Sequence, residues 1–401
     1  MDVDFPQTGE RHIWLWILFG FLALAGIVAA VAGVLADPER FFRAYLFAYL
    51  FWVGISFGCL GWLLLHNITG SRWGFALQRV LEAGARTLPL MALLFLPLLF
   101  GFPALYPWST APARPGPGLF LSKSSYLNVP FFVIRAVIYF AVCIGLTMVV
   151  THWSYASDHR RPADPDVEAQ MWQDRVRLGA VGLFVFTLVA NFAAYDWLMS
   201  LEPQWFSSLF GWLALARHAL GALVFAIIVL ALIRSGPRAR LLRQLLNEQA
   251  LNDMGAVFLA TLVSLTYLAL MQFLVIWAGN IPEDATWYVI RSRGGWQWVL
   301  GILVVFYLGL PIFLLLLRRV KRHLGLMTLL AALVLLLRFL HLYWLVMPVF
   351  QPTVAVHWLD VALPLGMGGF WLAVFGWQLL RHPLLPANHP KARQALAQQA
   401  R

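Results

Sequence analysis

The run LGLMTLLAALVLLLRFLHLYWLVM, from Leu324 to Met347, carries a single formal charge, Arg338, in a stretch long enough to cross a bilayer. A hydrocarbon core ~30 Å thick is spanned by ~20 apolar residues in a helix rising 1.5 Å per residue. The run shows no alternation of period two, so a helix is favoured over a barrel strand. Outward from it the pattern recurs at Ile13–Leu35, Ala44–Leu65, Leu88–Leu105, Phe131–Val150, Leu178–Met199, Phe210–Ile233, Met254–Ala278, Trp298–Leu317 and Val361–Leu380. With 61% hydrophobic and 12% charged residues over 401 positions, against ~25% charged in soluble domains, a water-soluble globular protein is excluded. The expectation is an all-α integral membrane protein of about ten transmembrane helices, a single polytopic domain with no room for a separate soluble one.

The chain has 29 basic and 18 acidic residues, a formal charge of +11, and its distribution argues for membrane topology rather than nucleic acid. Numbering the runs as spans 1 to 10, the loops after spans 1, 3, 5, 7 and 9 hold only Arg40, Arg43, Arg114, Lys123, Arg291 and Arg293. Arg135, Arg217 and Arg338 lie within or at the edge of spans, and every other basic residue falls at the termini or in the alternate loops. Cytoplasmic loops retain Lys and Arg, so both termini are expected in the cytoplasm and the number of spans even, with anionic lipid as partner. Tyr106, Trp108, Trp197, Trp205, Trp277, Trp287, Trp344 and Trp358 mark the outer ends of spans, where amphipathic rings favour the headgroup level.

Cys59 and Cys143 both sit inside apolar runs. Two thiols exclude a self-contained iron–sulfur cluster and a cysteine-rich zinc site, and no C-x-x-C-H stretch offers covalent haem attachment. There is no G-x-x-x-x-G-K-[ST] loop for nucleotide-driven transport and no H-E-x-x-H metal motif. The first apolar run is too long, and its flank too acidic, for a signal peptide, so it is read as an uncleaved span. Pro112, Pro115, Gly116, Pro117 and Gly118 make Tyr106–Pro130 a turn-rich, candidate partner-facing loop. Asp158–Arg177 reads as a solvated hairpin, Ser71–Arg86 as an amphipathic surface helix, and the tail after Pro386 as disordered.

A faint repeat accompanies these runs. Trp197 and Trp344 end spans 5 and 9 shortly after a tyrosine, and Arg135 and Arg291 stand at the outer starts of spans 4 and 8. The offsets are compatible with two four-helix bundles, residues 44–199 and 210–347, flanked by the helices 13–35 and 361–380.

A charge within the bilayer costs ~2.5–3.5 kcal/mol on insertion scales and is retained where it faces a bundle interior or a wet cavity. Arg217 and Arg338 lie roughly 10–15 Å below the outer ends of their helices. His341 shares the face of Arg338, whereas His218 points about 100° from Arg217. One reading is a polar pocket in the outer half of the second bundle that binds a quinone carbonyl or relays protons. The other pairs the arginines with Asp196, Glu202, Glu283, Asp284 or Asp360 as helix staples. A third takes His218 and His341 as axial ligands of a b-type haem. Asp196, between Tyr195 and Trp197, is expected to be a partly desolvated carboxylate that exchanges protons near neutral pH. Glu82 and Asp253 are inner-side candidates for proton uptake, although for Asp253 capping of span 7 is the structural expectation. His66 and His152, at the inner ends of spans 2 and 4, read as interface residues.

The segment Tyr195-Asp196-Trp197-Leu198-Met199-Ser200-Leu201-Glu202-Pro203-Gln204-Trp205-Phe206-Ser207 resembles a signature of the polysulfide-reductase-type (NrfD-like) membrane subunits of alternative complex III, a bacterial quinol:electron-acceptor oxidoreductase. Supporting stretches are Phe42-Arg43-Ala44-Tyr45, Gly58-Cys59-Leu60, Thr69-Gly70-Ser71-Arg72-Trp73-Gly74, Leu105-Tyr106-Pro107-Trp108 and Asn280-Ile281-Pro282-Glu283-Asp284. The resemblance implies ten helices with two four-helix bundles and no redox cofactor bound in this subunit. It also implies assembly with a paralogous NrfD-like subunit and with partners carrying iron–sulfur clusters and c-type haems. Quinol oxidation would occur mainly in the paralogue, leaving this chain, not catalytic alone, to supply a proton path or a second quinone pocket. Two departures stand out: Ala256 follows Asn252-Asp253-Met254-Gly255 where the family often has lysine, and Leu270-Met271 replaces an aromatic–serine pair before Gln272. Both weaken a proton uptake route beside Asp253. A proton-coupled secondary transporter and a b-type haem membrane cytochrome remain the competing classes.

Overall fold

The computed structural model describes residues 13–110, 125–158, 165–234 and 246–382. Within them every regular element is helical, and ten helices are long and apolar enough to cross a membrane. They are span 1 (Ile13–Ala36), span 2 (Pro38–Thr69), span 3 (Trp73–Phe100), span 4 (Val129–Ala156), span 5 (Ala169–Leu201), span 6 (Phe210–Arg234), span 7 (Glu248–Gly279), span 8 (Trp296–Leu316), span 9 (Leu324–Val349) and span 10 (Leu359–Leu380). The chain is therefore a multi-pass all-α membrane protein. Because the spans are even in number, Ile13 and Leu380 lie at one end of the bundle, here the terminal end, opposite the far end.

Span 2 is the axis of the molecule. Its most apolar window is 83% buried, against 17% for span 1, and it packs on spans 1, 3, 4, 5, 6, 9 and 10. Its start precedes the apolar run because Asp37-Pro38 is a helix-initiating pair: the Asp37 carboxylate accepts the Arg40 backbone N–H at 3.0 Å, and Pro38 has no N–H to leave unpaired. Gly70, at φ 55°, ends it in the left-handed conformation. Spans 3, 4 and 5 pack around span 2, spans 6, 7, 8 and 9 pack among themselves, and span 6 joins the groups by lying against span 2. Span 1 rests on span 10, where Gly26 and Gly366 bring the two backbones so close that a Cβ on either would strike the other.

Several sequence expectations are corrected. Arg72–Ala85 is a helix but not a surface one: its polar face, Gln78, Arg79 and Glu82, is buried because it bonds to itself and to Ser154 of span 4. Of the segment read as a solvated hairpin, residues 159–164 lie outside the described residues, and from Pro165 a continuous helix runs to Trp197. Pro165 occupies its first position, where a missing N–H costs nothing. Of the aromatic belt, Tyr106, Trp197, Trp205, Trp287 and Trp344 are buried, while Trp277 and Trp358 are exposed. Trp205 stacks on Trp287, and Trp287 meets Trp344 edge-on, so these rings pack loops onto helix ends rather than facing lipid. The Tyr106–Pro130 connection begins as a clamp: Tyr106 donates to the Trp197 carbonyl and Trp108 to that of Ser200, each at 3.1 Å. Its Pro- and Gly-rich centre, like the tail after Pro386 and the segment before Ile13, lies outside the described residues.

Candidate functional site

Arg217 and His218 of span 6 and Arg338 and His341 of span 9 surround one cavity of ≈ 50 Å³. Span 2 closes it with Leu50, Val53 and Phe57, and span 5 with Trp197. The site thus belongs to the junction of the two helix groups, which corrects its placement within the second group alone. His218 also lines it, despite the 100° separation from Arg217, because the cavity wraps around span 6. Close approach is built in by glycine. A Cβ on Gly54 of span 2 would come to 2.5 Å from Arg338 Nη2 and 2.6 Å from His218 Nδ1, and one on Gly221 would strike the Arg338 guanidinium.

Every carboxylate proposed to pair with these arginines that forms an ion pair has another partner. Asp196 binds Arg135, Glu202 binds Arg291 and Asp360 binds Arg40, at 2.7, 2.6 and 2.5 Å. Glu283 and Asp284 take the first turn of the short helix Pro282–Ile290, where acids oppose the positive dipole end. Among the described residues no ion pair reaches Arg217 or Arg338. Arg217 Nε and Nη1 and His218 Nδ1 have no hydrogen-bond partner. Neither does the hydroxyl of Tyr307, whose ring lies 5.3 Å from that of His341. Arg338 leans over Phe51 at 5.2 Å, with Nη1 3.5 Å from the Phe51 carbonyl, too long for a strong bond. Uncompensated cations are costly in an apolar interior. Donors left open around a cavity are what an acceptor oxygen or a small anion requires.

Arg135 and Asp196 form a separate and saturated pair. Arg135 Nε and Nη2 donate to the two Asp196 oxygens at 2.7 and 2.9 Å, and Tyr139 donates to Oδ2 at 2.7 Å. The guanidinium is held between Tyr126 and Phe131, and its Nη1 bonds the Tyr126 carbonyl at 2.9 Å. Burial, reinforced by the Asp196 charge, pushes the Tyr126 phenol up to about 12. Asp196, the carboxylate expected to exchange protons, has both oxygens engaged by Arg135 and Tyr139 and adjoins the cavity only through the next residue, Trp197. At Arg291 burial lowers the guanidinium from its ordinary value while Glu202 opposes the shift.

The two inner-side candidates also differ from expectation. Glu82 is buried and accepts from Arg79 at 2.6 Å and Gln78 at 2.9 Å, so it is an ion-paired carboxylate rather than an open proton port. Asp253 does not cap its helix: span 7 begins at Glu248, and Asn247 accepts the Ala250 N–H at 2.8 Å. His66 is buried beside Phe75.

Sequence reasoning missed Gly54, Gly221, Tyr139 and Tyr307. Tyr307 lies in a π-helical turn, Leu303–Gly309, and Pro311 is the second residue of the α-helix that follows it. Pro311 cannot donate to the Tyr307 carbonyl four residues back, and the turn widens there. Such π turns favour functional sites. Among the described residues no three or more His, Cys, Asp or Glu side chains group as metal ligands. No family model matches the chain, and no curated protein matches it.

Proposed function

We propose that the chain is a non-haem integral subunit of a quinol:electron-acceptor oxidoreductase complex in a bacterial inner membrane, with both termini cytoplasmic. In this reading it assembles beside a paralogous NrfD-like subunit and subunits carrying iron–sulfur clusters and c-type haems, and does not turn over alone. The 195–207 segment supports the assignment, and the observation that carries the role is a pair of arginines around one cavity, Arg338 buried and Arg217 half-buried, with no carboxylate partner among the described residues. A volume of ≈ 50 Å³ holds water, which needs ~10–15 Å³ per molecule on this measure. It is well below the ~300–1,000 Å³ of pockets for larger ligands.

In the conformation seen, the site is therefore a cationic chamber with room for water. A quinone head would enter by displacing lining side chains such as Leu342 and Leu345. Its carbonyl oxygens would then accept from Arg217 and Arg338. The positive potential favours the anionic reduced forms of such a ligand over its neutral form. It also repels hydronium, so ligand handling is favoured over a simple proton wire. The size and charge of the chamber favour one second reading, a secondary transporter of a small anion working between two helix groups.

Purification in mild detergent with identification of co-migrating proteins separates the two. Iron–sulfur and c-type haem subunits are expected, with quinol turnover of the assembled complex falling roughly tenfold or more in Arg338→Gln, the size of one charge-assisted hydrogen bond. A stable monomer that takes up a small anion would replace this reading by the transporter.

A further inference from the structure

A second concavity, ≈ 420 Å³, opens on the side of the bundle between spans 3, 4 and 10. Its floor is apolar, with Leu90 and Leu93 of span 3, and Leu93 is 65% exposed. Its rim holds Arg86, Gln378 and Arg381. Arg381 directly follows Leu380, the last residue of span 10, and stands 4.0 Å over the Trp377 ring, the place and pairing of a headgroup-level anchor.

No Asp or Glu lines the concavity. Among the described residues neither Arg86 nor Arg381 joins an ion pair. Arg86 Nε has no partner, and Nη1 reaches Gln378 only at 3.5 Å. The neighbouring carboxylate, Glu82, is already taken by Arg79 at 2.6 Å. Two cations above a greasy trough, opening sideways from a membrane-spanning bundle, match an anionic headgroup joined to acyl chains.

We propose that this concavity is a binding site for an anionic phospholipid, with Arg86 and Arg381 on the phosphate and Leu90 and Leu93 against an acyl chain. The site is independent of the redox reading, since it uses none of the cavity residues. Free phosphate shares the headgroup chemistry but not the acyl contact, so the two sources are separable.

The full chain, with whatever subunits accompany it, is reconstituted in phosphatidylcholine nanodiscs doped with spin-labelled phosphatidylglycerol. The immobilised fraction is then measured with and without inorganic phosphate. Wild type is expected to select phosphatidylglycerol over labelled phosphatidylcholine. Selectivity should fall roughly fivefold for each of Arg86→Gln and Arg381→Gln. Leu93→Trp, which fills the trough and leaves both charges, should also reduce binding; it keeps the test open should Arg86→Gln fail to fold. Millimolar phosphate should not displace the lipid. Equal selectivity in the arginine variants, or displacement by phosphate alone, would overturn the proposal.

Discussion

Arg135 and Arg338 bring the same charge into the same bundle, but their surroundings predict opposite responses to removal. Arg135→Met strands Asp196, buried and chelated by that guanidinium, and should cost about 3–5 kcal/mol, read as a lower unfolding midpoint in detergent. Arg338→Met strands no carboxylate. It relieves a desolvated cation, so the midpoint should hold or rise while function is lost, the trade-off expected of a residue kept for a ligand. A fall as large as that of Arg135→Met would show Arg338 to be structural. His382 makes a third residue-scale prediction. Its ring stacks on Tyr155 at 3.5 Å, and burial, then Arg79 and Arg86, push its imidazole down to about 4 from 6.5. Between those values the unfolded chain binds the extra proton and the folded chain does not. Stability should therefore be fully present above pH 6.5 and decline as pH falls toward 4. Midpoints of wild type and His382→Phe measured across that window should converge or cross; parallel curves would refute the assignment.

At the scale of elements, span 1 is attached chiefly by its glycine contact with span 10, most of its side chains being exposed. Gly366→Val places branched carbons where the Gly26 backbone lies. Overpacking of this kind costs about 1–3 kcal/mol, which is enough to separate a helix held by one face. Disulfide cross-linking of cysteines placed at Gly33 and Leu359, which face each other, should fall in that variant, and undiminished cross-linking would mean that the helices slide to accommodate the side chain. Spans 4–5 and 8–9 carry similar residues at their ends but differ in chemistry. Arg135 meets Asp196, the residue before Trp197, within its own group. Arg291 lies against the corresponding end of span 9, accepting from Trp344 Nε1 through its carbonyl, but the residue before Trp344 is Tyr343. Its carboxylate comes instead from Glu202, after span 5. The second group thus borrows an acid from the first, and the loop after span 5 is tied across the junction above the cavity.

For the whole molecule, the distribution of Lys and Arg predicts the orientation. Cys59 and Cys143 are buried, so a cysteine introduced at Ser109 should react with an impermeant maleimide on intact cells, and one at Arg318 only after permeabilisation; the reverse pattern would invert the topology. All ten spans were legible in the chain itself, because crossing a bilayer is a local demand for length and apolarity that needs no knowledge of neighbours. The same locality exposed Arg217, Arg338, His218 and His341 as polar residues in apolar runs, and offered Asp196, Glu202, Glu283, Asp284 and Asp360 as acids within reach, of which Asp196, Glu202 and Asp360 form ion pairs. Which acid meets which arginine was not legible. Partner choice depends on the rotation and depth of helices that touch far along the chain, and continuous apolar runs carry no periodicity from which to read rotation. Tertiary structure decided that the three acids satisfy Arg135, Arg291 and Arg40, and that Gly54 and Gly221 admit the remaining guanidinium of Arg338 to the junction. Charge within the membrane was written in the sequence; only packing determined where that charge would be left uncompensated, because neutralisation is a property of contacts between helices and not of any one of them.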